Sequence, residues 1–108
     1  VFTIDYEVGV RGGRVPLATG VTGFGPNPVA GMLTMELGVA KQQEVSVEVY
    51  SPTGRLVRRL ARGTHRPGYY RIVWDCTDGR GGAVTAGLYM VLLRLGDALH
   101  KRIVSVVK

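Results

Sequence analysis

Apolar side chains recur at every second position along nearly every segment of this chain, and glycine or proline breaks the pattern at short intervals. Successive side chains of an extended strand point to opposite faces. Strict period two is therefore the signature of a strand with one buried and one solvated face. Within residues 1–10, Phe2, Ile4, Tyr6, Val8 and Val10 share one face, opposite Thr3, Asp5 and Glu7. Leu33, Met35, Leu37 and Val39 alternate with Thr34, Glu36 and Gly38, and Val45, Val47 and Val49 alternate with Glu44, Ser46 and Glu48. Tyr70, Ile72 and Trp74 share a face of residues 69–75. Residues 88–95 are apolar on both faces, as in a strand covered on both sides, and a last strand is expected at about 99–107.

The interruptions carry turn chemistry. Ser51-Pro52-Thr53-Gly54 has proline second and glycine fourth, and Gly96-Asp97 fits a tight reversal. Thr77-Asp78-Gly79-Arg80-Gly81-Gly82 reads as a long polar turn, and Gly23-Phe24-Gly25-Pro26-Asn27-Pro28 as another. Between Arg11-Gly12-Gly13-Arg14 and that cluster, residues 15–21 form a short segment that Pro16 restricts to a sheet edge. Residues 55–62 are ambiguous. Arg55, Arg58, Arg59 and Arg62 have the spacing of one helix face, yet eight residues between two turns suit a strand better. The expected fold is all-β, an immunoglobulin-like β-sandwich of about seven strands. At 108 residues it is one compact domain, with residues 1–25 as an N-terminal strand arm and linker and 26–108 as the sandwich. The arm's amphipathic strand can pair in cis or in trans.

Composition narrows the chemistry. No apolar run is long enough to span a membrane as a helix. The chain begins at Val1 without a signal segment, as expected of a processed protein or a piece of a longer one. Cys76 is the single cysteine, which excludes an internal disulfide and suggests a free thiol. His65 and His100 are expected at the surface, because no serine or cysteine motif accompanies either in the manner of a nucleophile and its base. Asp75 and Asp78 flank a glycine-rich turn, but two carboxylates fall short of a calcium shell, and turn capping is the expected role. No catalytic, cofactor or metal residue is assigned. The formal charge of +6 is uneven: residues 1–10 hold two acids and no base, and eleven of the fourteen bases are arginine. Arg55, Arg58, Arg59, Arg62, Arg66 and Arg71 are expected to form a basic surface, in the first place a solvated face, otherwise one able to meet an anionic glycan, an acidic protein or, less readily, nucleic acid.

From Pro26 onward the punctuation follows a recognisable order. It runs Asn27-Pro28, Val47-Glu48-Val49-Tyr50, Gly54-Arg55-Leu56-Val57, Trp74-Asp75, Asp78, Gly81 and Gly87-Leu88-Tyr89, ending in a basic C-terminal strand. This resembles the C-terminal sorting domains of the bacterial type IX secretion system and the related immunoglobulin-like domain of the flagellar hook-cap protein. Asn27, Pro28, Tyr50, Gly54, Trp74, Asp75, Asp78, Gly87 and Tyr89 are the residues that carry the match. Cys76 departs from it, standing where the family usually has a small residue, often glycine. The resemblance implies a non-catalytic module at the outer-membrane surface or outside the cell, acting in sorting, attachment or assembly through protein partners or the secretion machinery. Two alternatives stand beside it. One is a subunit of an extracellular filament, polymerising by strand addition through Phe2, Ile4, Tyr6, Val8 and Val10. The other is a glycan- or nucleic-acid-binding module that uses the arginines.

Overall fold

A computed structural model describes Val8–Gly9 and residues 16–108. The described residues form eight strands and no helix: β1 (Val8–Gly9), β2 (Gly20–Gly25), β3 (Leu33–Val39), β4 (Gln43–Tyr50), β5 (Leu56–His65), β6 (Gly68–Trp74), β7 (Gly87–Leu95) and β8 (Ala98–Val106). Among the described residues β1 is a two-residue pairing, and the other seven strands build the two sheets. They lie in two antiparallel sheets, ordered β1-β6-β3-β2 and β5-β4-β7-β8. The hairpins β2–β3, β4–β5 and β7–β8 stay within a sheet, and the chain crosses between sheets after β3, β5 and β6.

The period-two residues fill the space between the sheets. Leu33, Met35, Leu37 and Val39 on β3 and Ile72 and Trp74 on β6 meet Val45, Val47 and Val49 on β4 and Val91 and Leu93 on β7. All of these are at most 1% exposed. Burying apolar area at about 25 cal/mol per Å² is the main favourable term, and this interdigitation supplies it. Two turns fix the register. The Gly54 amide donates to the Ser51 carbonyl at 2.9 Å, with Gly54 at φ 86°. Gly96, at φ 61°, closes the reversal that pairs Leu95 with Ala98. Both conformations favour glycine.

One ambiguity resolves as the length of its segment suggested, and three expectations need correction. Residues 55–62 are strand: β5 carries two bulges against β4, where Val47 meets Ala61 but Glu48 meets Arg59, and Val49 meets Arg58 but Tyr50 meets Leu56. Leu60 and Val57 are the extra residues, and inserting one residue twice turns a two-residue alternation into a spacing that imitates a helix. The early strand lies at Gly20–Gly25 rather than 15–21, so it runs through glycines assigned to a turn. β2 is an edge strand with its own irregularity between Val21 and Gly23, where glycine is tolerated, and Phe24 packs on the core. β7 is covered on one face only among the described residues, since Leu88 remains 56% exposed. Finally, His65 is buried at the end of β5 rather than on the surface.

Candidate functional site

The loop after β6 is tied together by a network of side-chain hydrogen bonds. Trp74 is fully buried and its Nε1 donates to the Thr77 carbonyl at 2.9 Å. Its ring meets Tyr89 of the facing sheet edge-on, with centroids 5.7 Å apart. The Tyr89 hydroxyl donates in turn to the Thr85 carbonyl at 2.7 Å. A tyrosine that bonds back to backbone a few residues upstream is a recurrent lock of immunoglobulin-like sandwiches. A second lock of the same form joins the Tyr70 hydroxyl to the Arg66 carbonyl at 2.7 Å. Tyr89 stands among the motif residues of the sequence, whereas nothing there separated Tyr70 from other core aromatics.

Asp75 and Asp78 hold this loop together. Asp75 Oδ1 accepts from the Thr77 amide at 3.2 Å, from the Thr77 hydroxyl, and from Arg58 Nη1 at 3.0 Å. Arg58 also donates to Thr77 Oγ1. Asp78 Oδ1 accepts from the amides of Arg80 and Gly82 at 2.9 and 3.0 Å. Those amides, with the Arg80 charge, hold the Asp78 carboxyl below its ordinary range. Both acids therefore serve turn geometry. Among the described residues no three metal-ligating side chains come together.

Between them sits Cys76, with φ 61°, the left-handed conformation that costs a non-glycine residue about 1–2 kcal/mol. The family's frequent glycine at this point thereby acquires a physical reason. The Cys76 side chain is buried, and burial pushes its thiol above the ordinary value against the lowering effect of the Gly31 backbone. Because the thiolate is the reactive form, a native sample is expected to react with a disulfide reagent at least about a hundredfold more slowly than the denatured chain. Equal rates in native and denatured protein, read as thiol absorbance over time, would place Cys76 in solvent.

The predicted basic surface does not form one patch. Arg58 is the correction: it is 5% exposed, its guanidinium drawn inward to Asp75 because the second bulge of β5 turns it toward the core side. Arg59 pairs with Glu48 at 3.0 Å on the outer face of the β5-β4-β7-β8 sheet. Arg71 pairs with Glu36 at 3.3 Å on the other sheet. Arg55, Arg62 and Arg66 are exposed. Burial alone would raise the Glu48 carboxyl. Bonds from Tyr50 and Arg59, with the charges of Arg59 and Arg62, overcome it and hold Glu48 low. The Tyr50 hydroxyl donates to Glu48 Oε1 at 2.8 Å and is raised by that bond.

Asn27 has a role that sequence reasoning missed. Its Oδ1 accepts from the Ser105 amide at 3.0 Å, and its Nδ2 donates to the Ile103 carbonyl at 2.9 Å. Two residues on, the Val29 amide donates to the Ser105 carbonyl at 2.8 Å and the Val29 carbonyl accepts from the Val107 amide at 2.9 Å. The Asn27 carboxamide thus stands in for a peptide group, and residues 27–29 run along the outer edge of β8 as a short parallel partner. Pro28 sits between these two contacts. The remaining motif residue, Gly87, opens β7 opposite Val106.

Of the apolar arm residues, Phe2, Ile4, Tyr6 and Val10 lie outside the described residues. Val8 and Gly9 pair with Tyr70 and Tyr69 of β6 in the same chain. His100 is half-buried on β8, opposite Leu93. The buried His65 places Nδ1 3.1 Å from the Gly63 carbonyl oxygen and meets the Tyr70 ring edge-on at 4.7 Å.

This architecture has close counterparts. Over 88% of the chain it matches a tenth of dimeric latent PorU from Porphyromonas gingivalis, with 26% identity and a TM-score of 0.61. Over 83% it matches the fold of 11% of PorZ, an essential surface component of the type IX secretion system of the same bacterium, with 20% identity and a TM-score of 0.53. The chain thus spans about a tenth of each of these proteins. A comparison with curated protein sequences finds no match. The family model of the FlgD Ig-like domain matches residues 22–95, more than half of the chain. The chain belongs to the FlgD Ig-like domain family.

Proposed function

We propose that this domain is a non-catalytic module that sorts a larger protein to the bacterial outer surface and attaches it there through protein partners. The observation that supports the reading most is the recurrence of its fold, at about a tenth of the length, in PorZ, a surface component of the type IX secretion system. PorU, at 26% identity, carries the same fold in the same proportion. The polar groups of the Trp74–Asp78 loop are engaged in holding that loop, which fits a scaffold better than a reaction site. The glycan or nucleic-acid alternative needs a joint array of arginines. Arg58 is buried, while Arg59 and Arg71 pair with carboxylates on different sheets. The filament alternative draws no support from β1, which pairs within its own chain.

The test is transport. A periplasmically exported reporter carrying residues 1–108 at its C-terminus is expected to become protease-accessible on intact cells of a bacterium with a type IX system. It should stay periplasmic when that system is deleted. A reporter that remains periplasmic in the competent strain, or that reaches the surface without the system, overturns the proposal.

A further inference from the structure

Among the described residues, the outer edge of β8 is paired along only half its length. Asn27 and Val29 occupy the Ile103 carbonyl, both main-chain groups of Ser105 and the Val107 amide. Main-chain groups alternate sides along a strand, so the odd-numbered residues of β8 present theirs outward while the even-numbered ones face β7. Earlier along β8 than these contacts, the amides of Leu99, Lys101 and Ile103 and the carbonyl of Leu99 point away from β7. Among the described residues nothing pairs with them. The Lys101 carbonyl is met only by Nη1 of the neighbouring Arg102, at 3.0 Å. The register with β7 is unbroken from Ala98 to Val106, so this is a regular strand edge.

The side chains along the edge select what can add to it. Leu99, Lys101 and Ile103 share the outer face, with Leu99 45% and Ile103 56% exposed. Directly opposed side chains on paired strands interact, favourably for apolar and opposite-charge pairs and unfavourably for like charges. A second copy of this chain is disfavoured: two β8 edges related by a two-fold axis would be centred on Lys101 and set lysine against lysine. The complement is an extended segment with an acidic residue flanked by apolar ones on the same face. The basic Arg102 beside the edge adds to the attraction. Asn27 limits the docked length, since its carboxamide already fills the edge at Ile103 and Ser105.

We infer that the β8 edge from Leu99 to Ile103 is a docking site for one extended strand of a partner protein, carrying apolar, acidic and apolar residues at alternate positions. The strand would pair through its main chain. This site does not depend on how the domain reaches the surface.

A suitable probe is a seven-residue peptide alternating threonine with valine, glutamate and valine, titrated to millimolar concentration against the labelled domain. Saturable amide shifts and exchange protection are expected at Leu99, Lys101 and Ile103. A peptide with lysine in place of the glutamate should bind about tenfold more weakly, and Lys101→Glu, an exposed change that should leave the melting temperature unaltered, should reverse that preference. Equal binding of the two peptides overturns the inference. So do shifts centred elsewhere, no shifts at millimolar peptide, or self-association through β8 in the absence of peptide.

Discussion

Replacing Trp74 by alanine is expected to lower the unfolding free energy by about 3–5 kcal/mol, measured by equilibrium chemical denaturation. The indole is fully buried where β6 meets the facing sheet, so its removal costs transfer energy and leaves a cavity that flanking strands cannot close. Two further losses follow. The edge-on contact with Tyr89 is of a kind contributing about 0.5–1.5 kcal/mol beyond area burial. The Thr77 carbonyl loses its donor, which loosens the loop that positions Asp75 and Asp78. Domains of this size are stable by only about 5–15 kcal/mol, so the variant should be partly unfolded at room temperature. Trp74→Phe keeps most of the ring volume and should cost less than half as much. A Trp74→Ala protein within 1 kcal/mol of the parent would remove the indole from its place at the centre of the fold.

The strands whose residues obey period two without interruption were legible in the sequence. β3, β4 and β6 bury the residues that alternation selects, because a regular pleat converts spacing into facing. Bulges break that conversion. In β5 the inserted Val57 and Leu60 made the arginine spacing look helical and concealed that Arg58 faces inward while Arg59 and Arg62 face out. Charge itself misled: a guanidinium is assigned to solvent by default, and only the fold brings Asp75 and Thr77 to it from the far end of β6. β2 was displaced by several residues because glycine, normally a turn signal, is compatible with an edge strand. The motif residues were recognised as punctuation, but what they do required three dimensions. Asn27 bonds to residues 76 and 78 positions away, a relation no local pattern records. Cys76 was visible as a departure from the family. The left-handed backbone that gives the departure meaning was not.

Asp75→Ala is expected to destabilise the domain by about 2–4 kcal/mol, whereas Arg58→Met should be close to neutral. The asymmetry comes from unequal burial within one ion pair: Arg58 is 5% exposed and Asp75 57%. Removing the carboxylate takes from a buried guanidinium the opposite charge 3.0 Å away, and the Thr77 hydroxyl, which also accepts from it, is no substitute for that charge. Loss of one partner of a fully buried pair costs about 3–5 kcal/mol, and the smaller figure here reflects the solvent at the Asp75 end. The Asp75 carboxylate that Arg58→Met leaves behind is exposed, solvated by water and still bonded to the Thr77 amide. Methionine meanwhile fills the vacated channel with apolar atoms. The double variant should therefore be more stable than Asp75→Ala alone, with a coupling energy of about 1–3 kcal/mol in the mutant cycle. Because one end of the pair is shielded from solvent, salt should change the cost of Asp75→Ala far less than it would for the exposed Arg59–Glu48 pair. Denaturation curves for the four proteins at low and high salt decide it. Equal costs for Arg58→Met and Asp75→Ala, or a coupling that vanishes in salt, would show that Arg58 is solvated and that the loop is held by Trp74 and Asp78 alone.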